Sequence, residues 1–126
     1  MSASGDSAAR LEALLRDMDA TVSAQLANGA SSENTYVIGQ LSIHLLADYG
    51  SWRANISLGD GPQFPASFWI AALGGSTAFP EPVVTTEDLD HLTAQLPQLL
   101  AEAPRVEHTV ESMGDQYREA MKERLS

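Results

Sequence analysis

The chain has no cysteine, which excludes disulfides, thiolate zinc sites and thiol nucleophiles together and suits a reducing compartment. Aromatic residues are few, at 6%, whereas a glycosidase groove is usually rich in exposed rings. Positive charge is scarce as well. Seven Lys and Arg stand against 17 Asp and Glu, for a formal net charge of −10, and Lys122 is the one lysine. Nucleic-acid binders need the opposite sign, because their affinity comes largely from neutralising phosphates. An anionic membrane surface repels such a chain. No apolar run nears the roughly 18 residues that read as a membrane span. The start, Met1 to Asp6, has neither a basic nor an apolar leader region. The expectation is a cytoplasmic protein that binds neither nucleic acid nor membrane.

What remains is enough for one fold. At 126 residues and 44% hydrophobic, residues 1–126 suit a single small domain able to build a core without staples. Residues 1–6 are expected to be disordered.

From Ser7, read as an N-cap, apolar residues fall at Ala8, Leu11, Leu14, Leu15, Met18, Val22 and Leu26. That is one stripe of an amphipathic helix, with Asn28-Gly29 as its stop. Residues 30–34 then read as a polar linker. The period changes to two afterwards. Val37, Gly39, Leu41, Ile43 and Leu45 share one face, and Gln40, Ser42 and His44 the other. Beyond the turn Asp48-Tyr49-Gly50-Ser51, Trp52, Ala54, Ile56 and Leu58 alternate with Arg53, Asn55 and Ser57. The two runs predict an antiparallel hairpin with one apolar and one polar face, closed off by Gly59-Asp60-Gly61-Pro62.

Residues 63–75 read either as a short helix starting at Pro65 and stopping at Gly74-Gly75, or as a third strand over Ser67 to Ala71. The helix, which buries Phe68, Trp69, Ala72 and Leu73, is the preferred reading. Phe79-Pro80-Glu81-Pro82 must be extended, and Val83-Val84 can add an edge strand. Thr85 or Thr86 then caps a helix whose first turn holds Glu87, Asp88 and Asp90, with Leu89, Leu92, Leu96, Leu99 and Leu100 as its stripe. Pro97 should kink or divide it, and Pro104 should begin a separate last helix carrying Val106, Val110, Met113, Tyr117 and Met121. Gly114 and a high charge content mark 105–126 as the peripheral segment. The predicted class is α+β: an N-terminal helix, a small antiparallel sheet built on a hairpin, and two C-terminal helices packed on one face.

Chemical motifs are weak. His91 shares a helix face with Glu87 and Asp88, but metal sites need three or four ligands. His44 with nearby Asp48 invites a Ser-His-Asp reading, yet Gly74-Gly75-Ser76 lacks the second glycine of a nucleophile elbow. Gly59-Asp60-Gly61 runs into Pro62, so it is a turn and not a phosphate cradle. No catalytic residue, cofactor or metal is expected.

Aromatics and acids are the better lead. Tyr49 lies in the hairpin turn, Trp52 follows it, and Phe68-Trp69 are adjacent, so one of that pair should be exposed. Exposed aromatics beside acids are typical interface anchors. The expected partner-binding residues are therefore Asp48, Tyr49, Trp52, Trp69, Glu87, Asp88 and Asp90. The partner is another protein, and a basic one if the acidity does more than keep the chain in solution. The plain alternative is that Trp52 and Trp69 are core and the acids only complement a helix dipole. A homodimer is compatible with this reading.

The order Val37-Ile38-Gly39, the hairpin through Asp48-Tyr49-Gly50-Ser51-Trp52, Phe68-Trp69-Ile70-Ala71-Ala72-Leu73-Gly74-Gly75 and a Leu-rich helix resembles small actinobacterial immunity-type proteins encoded beside polymorphic toxins. The resemblance covers Tyr36 to Ala103, about half the chain, and no motif in it is specific. It implies a non-enzymatic domain that plugs or blocks a toxin. A second similarity is to acidic secretion chaperones of the type III kind, whose sheet needs about three more strand segments than the periodicity discloses. A small enzyme without a recognisable motif is a third class.

Overall fold

The computed structural model describes residues 3–29, 31–48, 51–78 and 86–125, with the side chains of residues 3–5, 24, 28, 51, 86–88 and 125 outside that description. Helix α1 spans Ala3–Asp17, so the helix reaches into the stretch expected to be disordered. Ser7 is not its cap. It lies within the helix, fully buried, and accepts a hydrogen bond from the Arg10 guanidinium at 3.0 Å.

The helix ends well before Asn28-Gly29. Asp19 adopts φ 61, the Asp19 N–H donates to Arg16 O at 3.1 Å, and the Ala20 N–H donates to Leu15 O at 2.9 Å. These paired bonds close a Schellman stop, with aspartate in the left-handed position that glycine usually takes. The chain then extends. Strand β1 (Thr21–Asn28) and strand β2 (Ser31–Ile38) occupy what the sequence reading took for the helix end and a linker. Val22 and Leu26 extend the helical spacing of Leu11, Leu15 and Met18 only by coincidence.

Strand β3 (Leu41–Asp48), strand β4 (Ser51–Leu58) and the two-residue strand β5 (Phe64–Pro65) complete a five-stranded antiparallel meander in the order β1-β2-β3-β4-β5. The hairpin across 48–51 is as expected, with Leu45 opposite Ala54 and Ile43 opposite Ile56. The run Val37 to Leu45 is not one strand, however. Gly39, at φ 58, and Gln40 turn the chain so that Ile38 pairs with Leu41. This reversal puts Val37 on the face opposite Leu41.

Helix α2 spans Ala66–Leu73 after Pro65, which is its N-cap and not its first residue. Phe68 and Trp69 are both 1% exposed, against the expectation that one would face water. The reason is tertiary. Helix α2 packs against the sheet and also against α3, the helix Thr86–Leu125, so neighbouring positions find cover on two sides. The Trp69 indole N–H donates to Ile56 O at 3.2 Å, and the Phe68 ring meets Tyr117 edge-on at 6.1 Å.

Helix α3 runs through Pro97 and Pro104 without a break, so Pro104 begins no new helix. Both prolines are exposed. Leu89, Leu92, Leu96, Leu99, Ala103, Val106, Val110 and Met113 are all buried and alternate three and four apart, a stripe unbroken in phase across both prolines. Val106, Val110 and Met113 are thus core, so this stretch is not peripheral; Lys122 to Arg124 form the exposed end. Gly114 is buried, and a Cβ there would overlap the Phe64 ring. The glycine that marked this segment as weak is what lets it dock.

The predicted class therefore holds: α+β, with an N-terminal helix and two helices after the sheet, packed on each other and on the sheet. The core lies between the helices and one sheet face, formed by Tyr36, Ile38, Leu41, Ile43, Leu45, Ala54 and Ile56. Residues 79–85, with the expected Pro-rich extension, the Val83-Val84 strand and the Thr85 cap, lie outside the described residues.

Candidate functional site

Strand alternation directs a second set of side chains away from the helices. Glu33, Thr35 and Val37 come from β2, Ser42, His44, Leu46 and Asp48 from β3, and Arg53, Asn55 and Ser57 from β4. None belongs to the hydrophobic core. Leu26 of β1 joins this face because it pairs with Glu33.

A polar tie crosses the middle of the face. The His44 ring sits between two hydroxyls, with Nδ1 3.1 Å from Thr35 Oγ1 and Nε2 3.3 Å from Ser57 Oγ. Glu33 Oε1 lies 3.9 Å from Nδ1. Desolvation holds His44 below its ordinary pKa, and the Glu33 carboxylate opposes that shift. A neutral imidazole can donate to one hydroxyl and accept from the other, linking three strands. Ser57, His44 and Glu33 are also the residue types of a hydrolytic triad. Ser57 is only 4% exposed, though, and its backbone is engaged in strand pairing. Ser57 is therefore not presented as a nucleophile.

At the hairpin end of the same face is a shallow depression of about 470 Å³. Leu26, Ala27, Leu46 and Ala47 supply its apolar lining, and Glu33, Asp48 and Arg53 its charged lining. Asp48 accepts from Ser31 Oγ at 2.8 Å across the β2–β3 pair. Leu26 is 63% exposed, and Val22 on the same strand is 45% exposed.

Among the described side chains expected to bind a partner, Asp48 alone lines this depression. It belongs to no triad with His44, being turned to Ser31 instead. Trp52 pairs with Ala47, is half-buried and packs against the core. Trp69 is core, so it offers no surface to a partner. Tyr49 lies outside the described residues, as do the side chains of Glu87 and Asp88. Asp90 is in the helix layer, where Arg10 binds it at 2.9 Å. Hydrogen bonds from Arg10 first and Ser7 second hold its carboxyl below the usual range. Asp90 and Asp48 thus do not share one surface. His91 is exposed, and among the described residues no group of three or more His, Asp or Glu is arranged to hold a metal ion.

Leu26, Glu33, Leu46 and Arg53 are the residues that sequence reasoning missed. Leu45-Leu46 carried a usable signal: adjacent leucines in a strand point to opposite faces, so one had to leave the core. Leu26 carried none, since its segment read as helix.

No protein-family model matches this chain, and no curated protein and no solved structure matches it.

Proposed function

We propose that this chain is a non-enzymatic protein-binding domain of the immunity type, which neutralises a basic toxin by receiving it on the helix-free face of the sheet. The observation that carries the reading is the depression beside β1. Leucines reach the surface there, next to Glu33 and Asp48, in a chain of net charge −10. An apolar floor with a charged rim is how protein interfaces are commonly built. The burial of Ser57 beside His44 supports a domain without catalysis, and the reading puts it in the cytoplasm with no cofactor. Among the described residues no helix is long and apolar enough to cross a membrane.

One observation favours a second reading, the secretion chaperone. The sheet has five strands, so the shortage of strand segments that counted against that class disappears. Under it, the same face holds an extended segment of an effector.

The test is coexpression with the product of the adjacent gene, comparing wild type with Leu46→Lys and Asp48→Lys. The expected outcome is a complex with the wild type. Leu46→Lys should break it through faster dissociation, and Asp48→Lys should slow association, more so at low salt. A harmless neighbour with no complex overturns the proposal. So does a complex indifferent to both substitutions and lost on Asp90→Lys. A neighbour that is an exported effector, kept in solution by this chain, decides for the chaperone.

A further inference from the structure

The two edges of the sheet are unlike. At one edge, β5 has two residues, Phe64 and Pro65, and leads directly into α2. Proline has no N–H to offer another strand. The other edge is β1, eight residues long and about 27 Å at the usual rise per residue. Its one extensive contact among the described residues is with β2, so its outer backbone groups face away from the sheet.

Edges of this length are normally guarded by lysine, proline, inward charge or a covering element. Strand β1, Thr21-Val22-Ser23-Ala24-Gln25-Leu26-Ala27-Asn28, has no charged residue and no proline. Its one guard is the bulge between Val22 and Ala24, beyond which Ala24 to Asn28 pair regularly with β2. The exposed large hydrophobic residues of the described chain, Val22 and Leu26, both lie on it.

We propose that β1 pairs antiparallel with β1 of a second copy of this chain, joining two sheets into one of ten strands about a twofold axis. Geometry selects this occupant, and charge confines where it can sit. A chain of net charge −10 repels its copy, and contact is cheapest along a strip with no charge, which β1 is. Every other strand longer than two residues carries a charged side chain: Glu33 on β2, Asp48 on β3 and Arg53 on β4. The Pro-ended β5 cannot accept a copy's β1, so head-to-tail growth is blocked and the pairing closes at two. The depressions beside Leu26 in the two copies then lie on either side of the seam, on one continuous face. The pairing stands whether or not that face binds a toxin or an effector.

The experiment uses the purified full-length chain alone. Sedimentation from low to high micromolar concentration, at low and high salt, should show a dimer whose association tightens with salt, because salt screens repulsion between acidic copies. Amide exchange should slow with concentration within residues 21–28. Leu26→Lys, alone and with Val22→Lys, should leave a folded monomer at concentrations where the wild type is dimeric. A lysine at 26 faces Glu33 of its own β2, which favours the fold, while it puts charge on the edge that is otherwise without any, one of the ordinary guards against strand pairing. If these variants unfold, the exchange pattern of the wild type decides. A wild-type monomer throughout overturns the pairing, as does a dimer kept by a folded Leu26→Lys variant. Protection outside 21–28, or association that loosens with salt, overturns it too. So does protection of 21–28 that comes only when the neighbouring gene product is added, which would give the edge to a different partner.

Discussion

The covered and open faces of the sheet are made by alternate residues of the same strands, and they illustrate two kinds of burial. On the covered face, Ile43, Leu45 and Ile56 are fully buried between strands and helices, where each lost methylene leaves a void. On the open face, Thr35 and Ser57 are also buried, but only because they are short and sit between longer neighbours joined through His44. The first kind of burial is held by packing, the second by hydrogen bonds. Low exposure therefore has different energetic weight on the two faces.

The largest expected effect tests that difference within one strand. Ile43→Ala should lower unfolding free energy by about 2–5 kcal/mol, as core truncations do. Leu46→Ala, three residues on, should cost no more than about 1 kcal/mol, since its side chain keeps water on one side. Urea unfolding of both variants measures the gap. Equal losses would mean that the open face is packed like a core.

An intermediate effect concerns where the covered face ends. Alanine is normally better than glycine in a helix by about 1 kcal/mol, so Gly114→Ala would stabilise an exposed helix. Here its Cβ overlaps the Phe64 ring, and overpacking of this kind costs about 1–3 kcal/mol. A net loss in thermal stability is expected, smaller when Phe64→Leu is introduced with it. A gain from Gly114→Ala alone would show that α3 leaves the sheet before this point.

The smallest effects are in pH, and the two faces should respond at opposite ends. On the covered side, burial first, then the hydrogen bond to Glu12, pushes the Tyr36 hydroxyl up to about 12. Its contribution is complete below the ordinary 10.0 and is lost as pH rises through 12. Tyr36→Phe should flatten that alkaline decline. On the open face, His44 is held below 6.5 by desolvation. The unfolded chain then binds the extra proton, so stability is complete above 6.5 and falls as pH drops below it. His44→Gln should flatten this part of the acid limb while keeping a donor and an acceptor for Thr35 and Ser57. Thermal melts across pH, with each variant beside the wild type, separate the two limbs.

Legibility followed burial. The β3–β4 hairpin could be read because one of its faces is covered, which forces alternation at Leu41, Ile43, Leu45, Ala54 and Ile56. Helix α3 could be read for its stripe but was divided at Pro104, because proline was weighed as a local breaker. Ala103, buried at 1%, links Leu99 to Val106 and keeps the stripe in phase. That continuity was visible in the sequence and outweighs the proline rule when both prolines face water. Of the expected partner-binding residues, Asp48 was placed correctly in the hairpin end. Trp69 was not, because exposure of one residue in an adjacent aromatic pair presumes a single covering surface, and α2 has two.

The α+β class, the central hairpin, the acidity and the buried leucines of α3 all follow from local spacing or from counting charge. Tertiary structure alone decided that residues 21–28 are a strand. An amphipathic pattern is the trace that one-sided burial leaves in a sequence. Strand β1 is an edge strand, with every described side chain exposed, so neither face imposes a period of two. What makes it a strand is backbone hydrogen bonding to β2, once Asp19 has stopped the helix and the hairpin has set the sheet. Backbone groups are nearly the same at every residue, and so the bonds that hold β1 leave no mark in the amino-acid pattern.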